Sequence, residues 1–290
     1  MAVSGDGVLT LAYGRKYAQM AIDLALSLRE YSEVPVSVVV DGPANRLLRK
    51  FGSSVFQHII PIDDRIHPWG GKLVAALRSP YERTVFVDAD VIFISQFDWF
   101  NTFTQKAAAL YGCYMFPYHD FFSYYPSTQI FADFGVKRYF QATSGIFQFR
   151  RPAADQYFLE CVDFYKQGIR KLPGYDIPGV ADEFVLGIVA DRFDIGSIPC
   201  DTAHPWPQSE QFSSLAWEDH RWPVVHVFGR INDAYMGQLI RCIDERRQRA
   251  RLPVVSGEIW RRRAAGVPEF SEKFRHLCGR LARATRRWFR

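Results

Sequence analysis

A chain of 290 residues that is 48% hydrophobic and 23% charged is not disordered, and it has room for one large domain or two small ones. The net charge of +5 is unevenly spread: residues 241–290 carry 15 Lys and Arg against 5 Asp and Glu, so the basicity belongs to the tail and the remainder is net acidic. Five scattered cysteines without a Cys-x-x-Cys pair exclude a thiolate zinc site and point to a reduced, cytoplasmic chain. No run approaches the roughly eighteen apolar residues of a membrane-spanning helix, and the acid at Asp6 with no preceding basic run argues against a signal peptide.

The first hundred residues alternate strand and helix patterns. Residues 8–12 form a short apolar run ended by Tyr13-Gly14, and Tyr17, Met20, Ala21, Leu24, Leu28 and Tyr31 then recur at helical spacing. Residues 36–40 are β-branched and stop at Asp41-Gly42-Pro43; a helix over 44–51 and a strand over 55–60 follow. Gly70-Gly71 precede a helix over 72–77, and a strand over 84–87 runs into Asp88-Ala89-Asp90 and a second apolar run, 91–94. Strands this apolar between helices predict an α/β fold with a mostly parallel central sheet covered on both faces. Ligands of such sheets bind beyond the carboxyl ends of the strands, which puts Tyr13-Gly14, Asp41 and Asp88-Ala89-Asp90 along one edge.

Beyond residue 100 the pattern loosens. Strands are expected over 107–116, 144–149 and 224–228 and helices over 155–165 and 181–191, while 117–141 reads as a long irregular stretch dense in aromatics. Its rings fill a core or form a binding lid that stacks sugar or lipid, with His119 and Asp120 as candidate contacts. The expected division is a domain over 1–240 and a basic helical tail over 241–290.

Asp88 and Asp90 carry the strongest chemical signal. Two carboxylates two apart in extended chain face the same way and can share a cation; the plainer alternative is a turn with solvated acids, or a salt bridge to an arginine. Hard divalent ions prefer oxygen ligands, so Mg²⁺ or Mn²⁺ completed by phosphate oxygens suggests a nucleoside diphosphate. Neither a P-loop nor a Gly-x-Gly-x-x-Gly is present, which removes the usual ATPase and dinucleotide signatures.

Several features come in an order that resembles glycosyltransferases of the GT-A fold, most closely family eight, the glycogenin and lipopolysaccharide galactosyltransferase type. They are Ala12-Tyr13-Gly14 with Tyr17, Lys72, Asp88-Ala89-Asp90, Ser144-Gly145, Ala181-Asp182-Glu183 and His226-Val227-Phe228-Gly229, spanning roughly residues 8–235. The resemblance implies that Asp88, Asp90 and His226 hold Mn²⁺ (or Mg²⁺) on a UDP-sugar, with Ala12, Tyr13, Tyr17, Lys72, Ala89 and Gly229 around the donor. It implies Asp182 and Glu183 in the sugar and acceptor pocket, and transfer with retained configuration. Two departures stand out. Asn232 occupies the position of a family lysine, leaving Arg230 as a candidate replacement charge, and Asp182-Glu183-Phe184 stands where the family reads Asp-Gln-Asp.

Each supporting residue has an ordinary reading beside the functional one. His226 in an apolar strand can be a core histidine, Lys72 an exposed helix lysine, Tyr17 part of a core stripe, and Asp182 with Glu183 helix-dipole partners. In the tail, Phe274, Leu277, Cys278, Leu281, Trp288 and Phe289 form an apolar stripe among arginines, which suits a helix lying on an anionic membrane surface. Nucleic-acid binding is not expected, because phosphate tracking needs no such stripe; docking on the protein's own body is the other alternative. The expected function is therefore a metal-dependent glycosyltransferase acting on a glycan or lipid-linked acceptor, peripheral on the inner membrane face. Its rivals are a sugar-phosphate nucleotidyltransferase and a non-catalytic membrane or polyanion-binding protein.

Overall fold

The computed structural model describes residues 5–62, 68–96, 99–100, 105–119, 127–167, 182–198, 214–227, 231–254, 257–261 and 263. β1 (Asp6–Ala12), α1 (Gly14–Arg29), β2 (Val36–Val40), α2 (Gly42–Phe51), β3 (His58–Pro61), α3 (Pro68–Leu77) and β4 (Arg83–Val87) follow the predicted alternation. The sheet is seven-stranded, in the order β3-β2-β1-β4-β7-β6-β8, where β6 is Ala108–Met115, β7 Tyr139–Arg150 and β8 Gly196–Ile198. The first four strands in this order are parallel, and β6 and β8 are parallel to each other.

Period-2 alternation splits the strands between two cores. Val8 and Ala12 of β1 point into a cluster with α1, α2 and the later helix α7 (Asp233–Arg249); Leu9 and Leu11 point into a second cluster with α3, α4 (Ser127–Phe134), α5 (Asp155–Gln167) and α6 (Asp182–Val189). Both faces are covered, so the chemistry is left to the strand ends.

The β1–α1 turn shows how an end is built. Gly14 has φ +69°, the left-handed region that favours glycine, and its N–H lies 3.0 Å from both carboxylate oxygens of Asp41. Asp41 also caps α2 by accepting from the Ala44 N–H at 2.8 Å, so one side chain ties two adjacent strand ends together.

Several expectations need correction. β7 is antiparallel to both β4 and β6, an orientation that a run of buried apolar residues cannot reveal. It begins at Tyr139 rather than near 144, and α4 occupies part of the stretch expected to be irregular. The third strand starts at His58, because the Val55 N–H is held in a turn by the Gly52 carbonyl. The apolar run after Asp90 leaves the main sheet: β5 (Val91–Phe93) pairs antiparallel with β9 (Val224–His226) in a separate ribbon.

α7 is capped by Asn232, which accepts from the Tyr235 N–H at 2.9 Å, and it runs unbroken through residue 240. Beyond that point Ile243, Arg247 and Trp260 are all buried. Arg247 Nε meets Asp23 Oδ1 of α1 at 2.5 Å and Trp260 Nε1 meets Asp23 Oδ2 at 2.8 Å. Arg246 and Arg249 both pair with Glu30. The apolar and basic stripe of residues 271–290 lies outside the described residues, as do Cys200 and Cys278.

Candidate metal site

Asp88 and Asp90 are not in extended chain. β4 ends at Val87, and the Val91 N–H bonds to the Asp88 carbonyl at 3.1 Å, closing a turn over residues 88–91. The two carboxylates converge because the backbone folds back, which corrects the extended-strand argument while keeping its outcome. The register of the ribbon adds the imidazole: Val91 stands opposite His226, and the Val227 N–H bonds to the Asp90 carbonyl at 2.9 Å.

The donor atoms of Asp88, Asp90 and His226 all lie within 4.8 Å of one another. His226 Nε2 is 3.2 Å from Asp90 Oδ1 and 3.9 Å from Asp88 Oδ2. Ligands about 2.1 Å from a six-coordinate ion stand about 3 Å apart, so modest closure completes a three-point set. Two carboxylates and one imidazole suit Mn²⁺ or Mg²⁺, with the remaining positions left to substrate oxygens. The residues present therefore fit the expected metal.

Around this trio the charges are densely paired. Lys72 Nζ contacts Asp88 Oδ1 at 2.9 Å, Asp182 Oδ2 at 2.9 Å and Ser144 Oγ at 3.0 Å. Ser144 arrives through the β4–β7 register: Val87 faces Ile146, and the Asp88 N–H bonds to the Gly145 carbonyl. Ser144 N–H in turn donates to Glu183 Oε1 at 3.0 Å, which anchors the start of α6 at the site. On the other side Arg263 Nε donates to Asp90 Oδ2 at 2.8 Å.

The electrostatics separate the two aspartates. Burial raises the Asp88 carboxyl to about 6, against the opposing pull of Lys72. Burial acts on Asp90 in the same sense, but His226 and Arg263 outweigh it and hold its carboxyl well below the usual range. Burial alone would lower the Lys72 ammonium, yet Asp182 and Asp88 overcompensate and keep it firmly protonated. Glu183 is raised by burial and by Asp182 beside it.

Most of the expected residues gather here. Tyr17 is half-buried; burial raises its phenol, Arg263 opposes, and Asp90 and Asp88 add to the rise, which places it beside the cluster. Tyr13 packs across Gly71, where an added Cβ would stand 2.5 Å from the ring. Ala12 is fully buried at the end of β1, and Ala89 is buried in the acidic turn. Lys72 is no exposed helix lysine, since its side chain is 15% accessible and held by three partners. Phe228, Gly229, Arg230, Asp120 and Ala181 lie outside the described residues. Of the aromatic segment, Tyr139 and Phe140 are core, while Tyr118 is 78% exposed and stacks on Phe116 at 5.6 Å. Arg263 was missed; its only sequence signal was the Arg261-Arg262-Arg263 run, read as part of a lipid-facing tail.

No family model and no curated protein matches this sequence. Among solved structures, the apo form of the bifunctional glycosyltransferase WbbM is similar with a TM-score of 0.52 and 15% identity, covering 90% of this chain and 51% of that one. The chain thus spans about half the length of WbbM. The galactosyltransferase LgtC, solved with donor and acceptor sugar analogs, is similar with a TM-score of 0.50 and 12% identity, covering 77% of this chain and 86% of that one. At these identities the likeness establishes the fold, which is GT-A.

Proposed function

We propose that this chain is a metal-dependent glycosyltransferase of the family-eight type, moving a sugar from a UDP-sugar to a hydroxyl acceptor. The observation that carries the reading is the convergence of Asp88, Asp90 and His226 at the carboxyl edge of a GT-A sheet. These three residues would hold Mn²⁺ or Mg²⁺, which when bound supplies positive charge to the departing diphosphate. Lys72 pairs with both Asp88 and Asp182 and offsets their repulsion, and Ser144 donates to Glu183.

Tyr13 and Tyr17 flank the base and ribose. Gly229 and Arg230 follow His226 closely enough in sequence to meet the phosphates. In the retaining reaction the bond from C1 to the diphosphate oxygen breaks, the acceptor oxygen bonds to C1 on the same face, and the acceptor proton passes to the leaving diphosphate. Asp182 and Glu183 would orient sugar and acceptor; an inverting reaction would instead draw its base from this pair.

The tail's composition supports a second part of the proposal: beside the catalytic unit expected over 1–240, onto which Arg246, Arg247 and Arg263 pack, the stripe over 271–290 of the basic segment 241–290 meets an anionic membrane surface carrying a lipid-linked glycan. No helix among the described residues is long and apolar enough to cross a membrane. A nucleotidyltransferase is disfavoured because β1 passes into α1 through Tyr13 alone, with no glycine-rich basic loop between them.

The test is turnover of a UDP-sugar panel by purified protein with Mn²⁺. Hydrolysis or transfer that disappears in Asp88→Ala and Asp90→Ala supports the reading. Nucleotide-sugar turnover indifferent to both substitutions refutes it, and vesicle or polyanion binding without any turnover would point to the non-catalytic alternative.

A further inference from the structure

We infer that Glu183 is the nucleophile of the transfer, carrying the sugar as a covalent ester on its carboxylate. The assignment rests on the retaining UDP-sugar reading above and resolves its same-face exchange into two inversions. Among the described residues four carboxylates meet at this edge, and three of them have a cation partner. Lys72 Nζ stands 2.9 Å from Asp88 Oδ1 and 2.9 Å from Asp182 Oδ2, and Arg263 Nε meets Asp90 Oδ2 at 2.8 Å. Glu183 is held instead by neutral donors of Ser144, the backbone N–H at 3.0 Å and the hydroxyl at 3.4 Å, both on Oε1.

These contacts separate Glu183 from its neighbour. Asp182 is buried, and its Oδ2 lies sealed against the Lys72 ammonium in an ion pair with no directed hydrogen bond. An adjacent cation draws off the charge that attack at carbon needs. Glu183 is half-buried, and with Oε1 engaged twice its carboxylate plane is fixed. Oε2 has no partner among the described residues and is not sealed from solvent. Burial and the Asp182 charge raise the basicity of this carboxylate, which strengthens it as an attacking group.

Ser144 also sets where the carboxylate stands. Its neighbour Gly145 accepts from the Asp88 N–H, and its hydroxyl lies 3.0 Å from Lys72 Nζ, which pairs with Asp88. Glu183 is thus tied to the acidic turn while remaining outside the set of Asp88, Asp90 and His226. The family-eight motif that Asp182-Glu183-Phe184 resembles has Gln at the middle position, an amide where this chain has a carboxylate. A carboxylate is the nucleophile of retaining glycosidases, and an amide is a poor one.

In the first step Oε2 bonds to C1 as the bond from C1 to the diphosphate oxygen breaks, and the diphosphate leaves with the electron pair. In the second the acceptor oxygen bonds to C1 from the other side. The ester bond breaks, its electron pair returns to Glu183, and the acceptor proton passes to the diphosphate. Two inversions give net retention.

Hydrolysis of the α-linked UDP-hexoses of the panel by the full chain with Mn²⁺ tests the assignment, with water in the acceptor's place. Wild type is expected to release the α-hexose, and denaturation during turnover to reveal a hexosyl adduct on the peptide carrying Glu183. Glu183→Gln keeps the shape of the side chain. It should bind UDP with Mn²⁺ no more weakly than wild type, while hydrolysis falls roughly 10³-fold or more. In Glu183→Ala, sodium azide should restore turnover and yield the β-glycosyl azide, because azide attacks once from the vacated side. Asp182→Ala should gain nothing from azide.

Release of the β-hexose by wild type overturns the assignment, as does hydrolysis by Glu183→Gln within about tenfold of wild type. Azide rescue confined to Asp182→Ala overturns it in favour of Asp182. Retained product with neither adduct nor rescue overturns it in favour of the single-step exchange. If wild type turns over no member of the panel, the nucleotide-sugar reading fails and takes this one with it. If wild type retains configuration and the Glu183 variants match its rate, only the Glu183 assignment fails.

Discussion

Two charged clusters are built into this chain, and they differ in balance. At the α1–α7 contact Asp23 meets Arg247 with both side chains 1% exposed, and the second carboxylate oxygen is taken by Trp260. One acid meets one base, polar atoms are answered, and little surface is left. At the strand edge the acids outnumber the bases among the described residues, and the side chains keep between 6% and 20% exposure. Breaking a buried balanced pair strands a charge in a dry site, so such a pair holds elements in place. A cluster with surplus acid at an accessible edge is instead expensive until a cation arrives. Charge surplus, more than the mere presence of buried ions, separates the candidate site from the structural clamp.

The comparison can be broken in four ways. Asp23→Ala leaves Arg247 uncompensated and frees the Trp260 N–H, so a loss of about 3–5 kcal/mol is expected from denaturant unfolding; a loss below 1 kcal/mol would remove the clamp from the comparison. Asp88→Asn should reduce sugar transfer about 10³-fold, equivalent to about 4 kcal/mol of transition-state stabilisation. Its melting temperature should be unchanged or higher. The sign follows from the direction of the shift: the folded protein holds the Asp88 carboxyl near 6, above its ordinary value, so above that pH the ionised form weakens the metal-free fold and a neutral amide relieves it. A melting loss as deep as that of Asp23→Ala would contradict the distinction.

Metal addition is the third test. Mn²⁺ at a hundred times its dissociation constant should stabilise the protein by about 2.7 kcal/mol, and chelation should remove the gain. Asp90→Asn should abolish this shift, whereas Trp260→Phe should keep it. The smallest effect is expected at Tyr118, where exposure predicts a stability change within about 0.5 kcal/mol on substitution by alanine. A loss of acceptor affinity in that otherwise stable variant would favour the lid reading of the aromatic segment over core filling.

Legibility followed the range of the contacts. β1, β2 and β4 were plain because each is a short apolar run bounded by turn residues, and both cores follow from their alternation. The acidic pair and His226 stood out through the apolar runs around them, although the turn that joins the two aspartates was mistaken for a strand. The direction of β7 and the departure of β5 into a ribbon could not be read, since a buried strand has the same composition whichever way it runs. Arg263 was illegible for a different reason. It is the last of three consecutive arginines, and nothing local separates the one that turns inward.

By itself the sequence determined the alternating α/β order, the stop of the second strand at Asp41-Gly42-Pro43, and the acids and imidazole available for a cation, because these depend on near-neighbour patterning and on side-chain chemistry. Only the tertiary structure decided that Lys72 sits among Asp88, Asp182 and Ser144, that the described residues just beyond 240 pack onto α1, and that an arginine 173 positions from Asp90 pairs with it. Contacts between distant parts of a chain are set by how whole helices and sheets pack, and a single sequence carries no periodic signal for them.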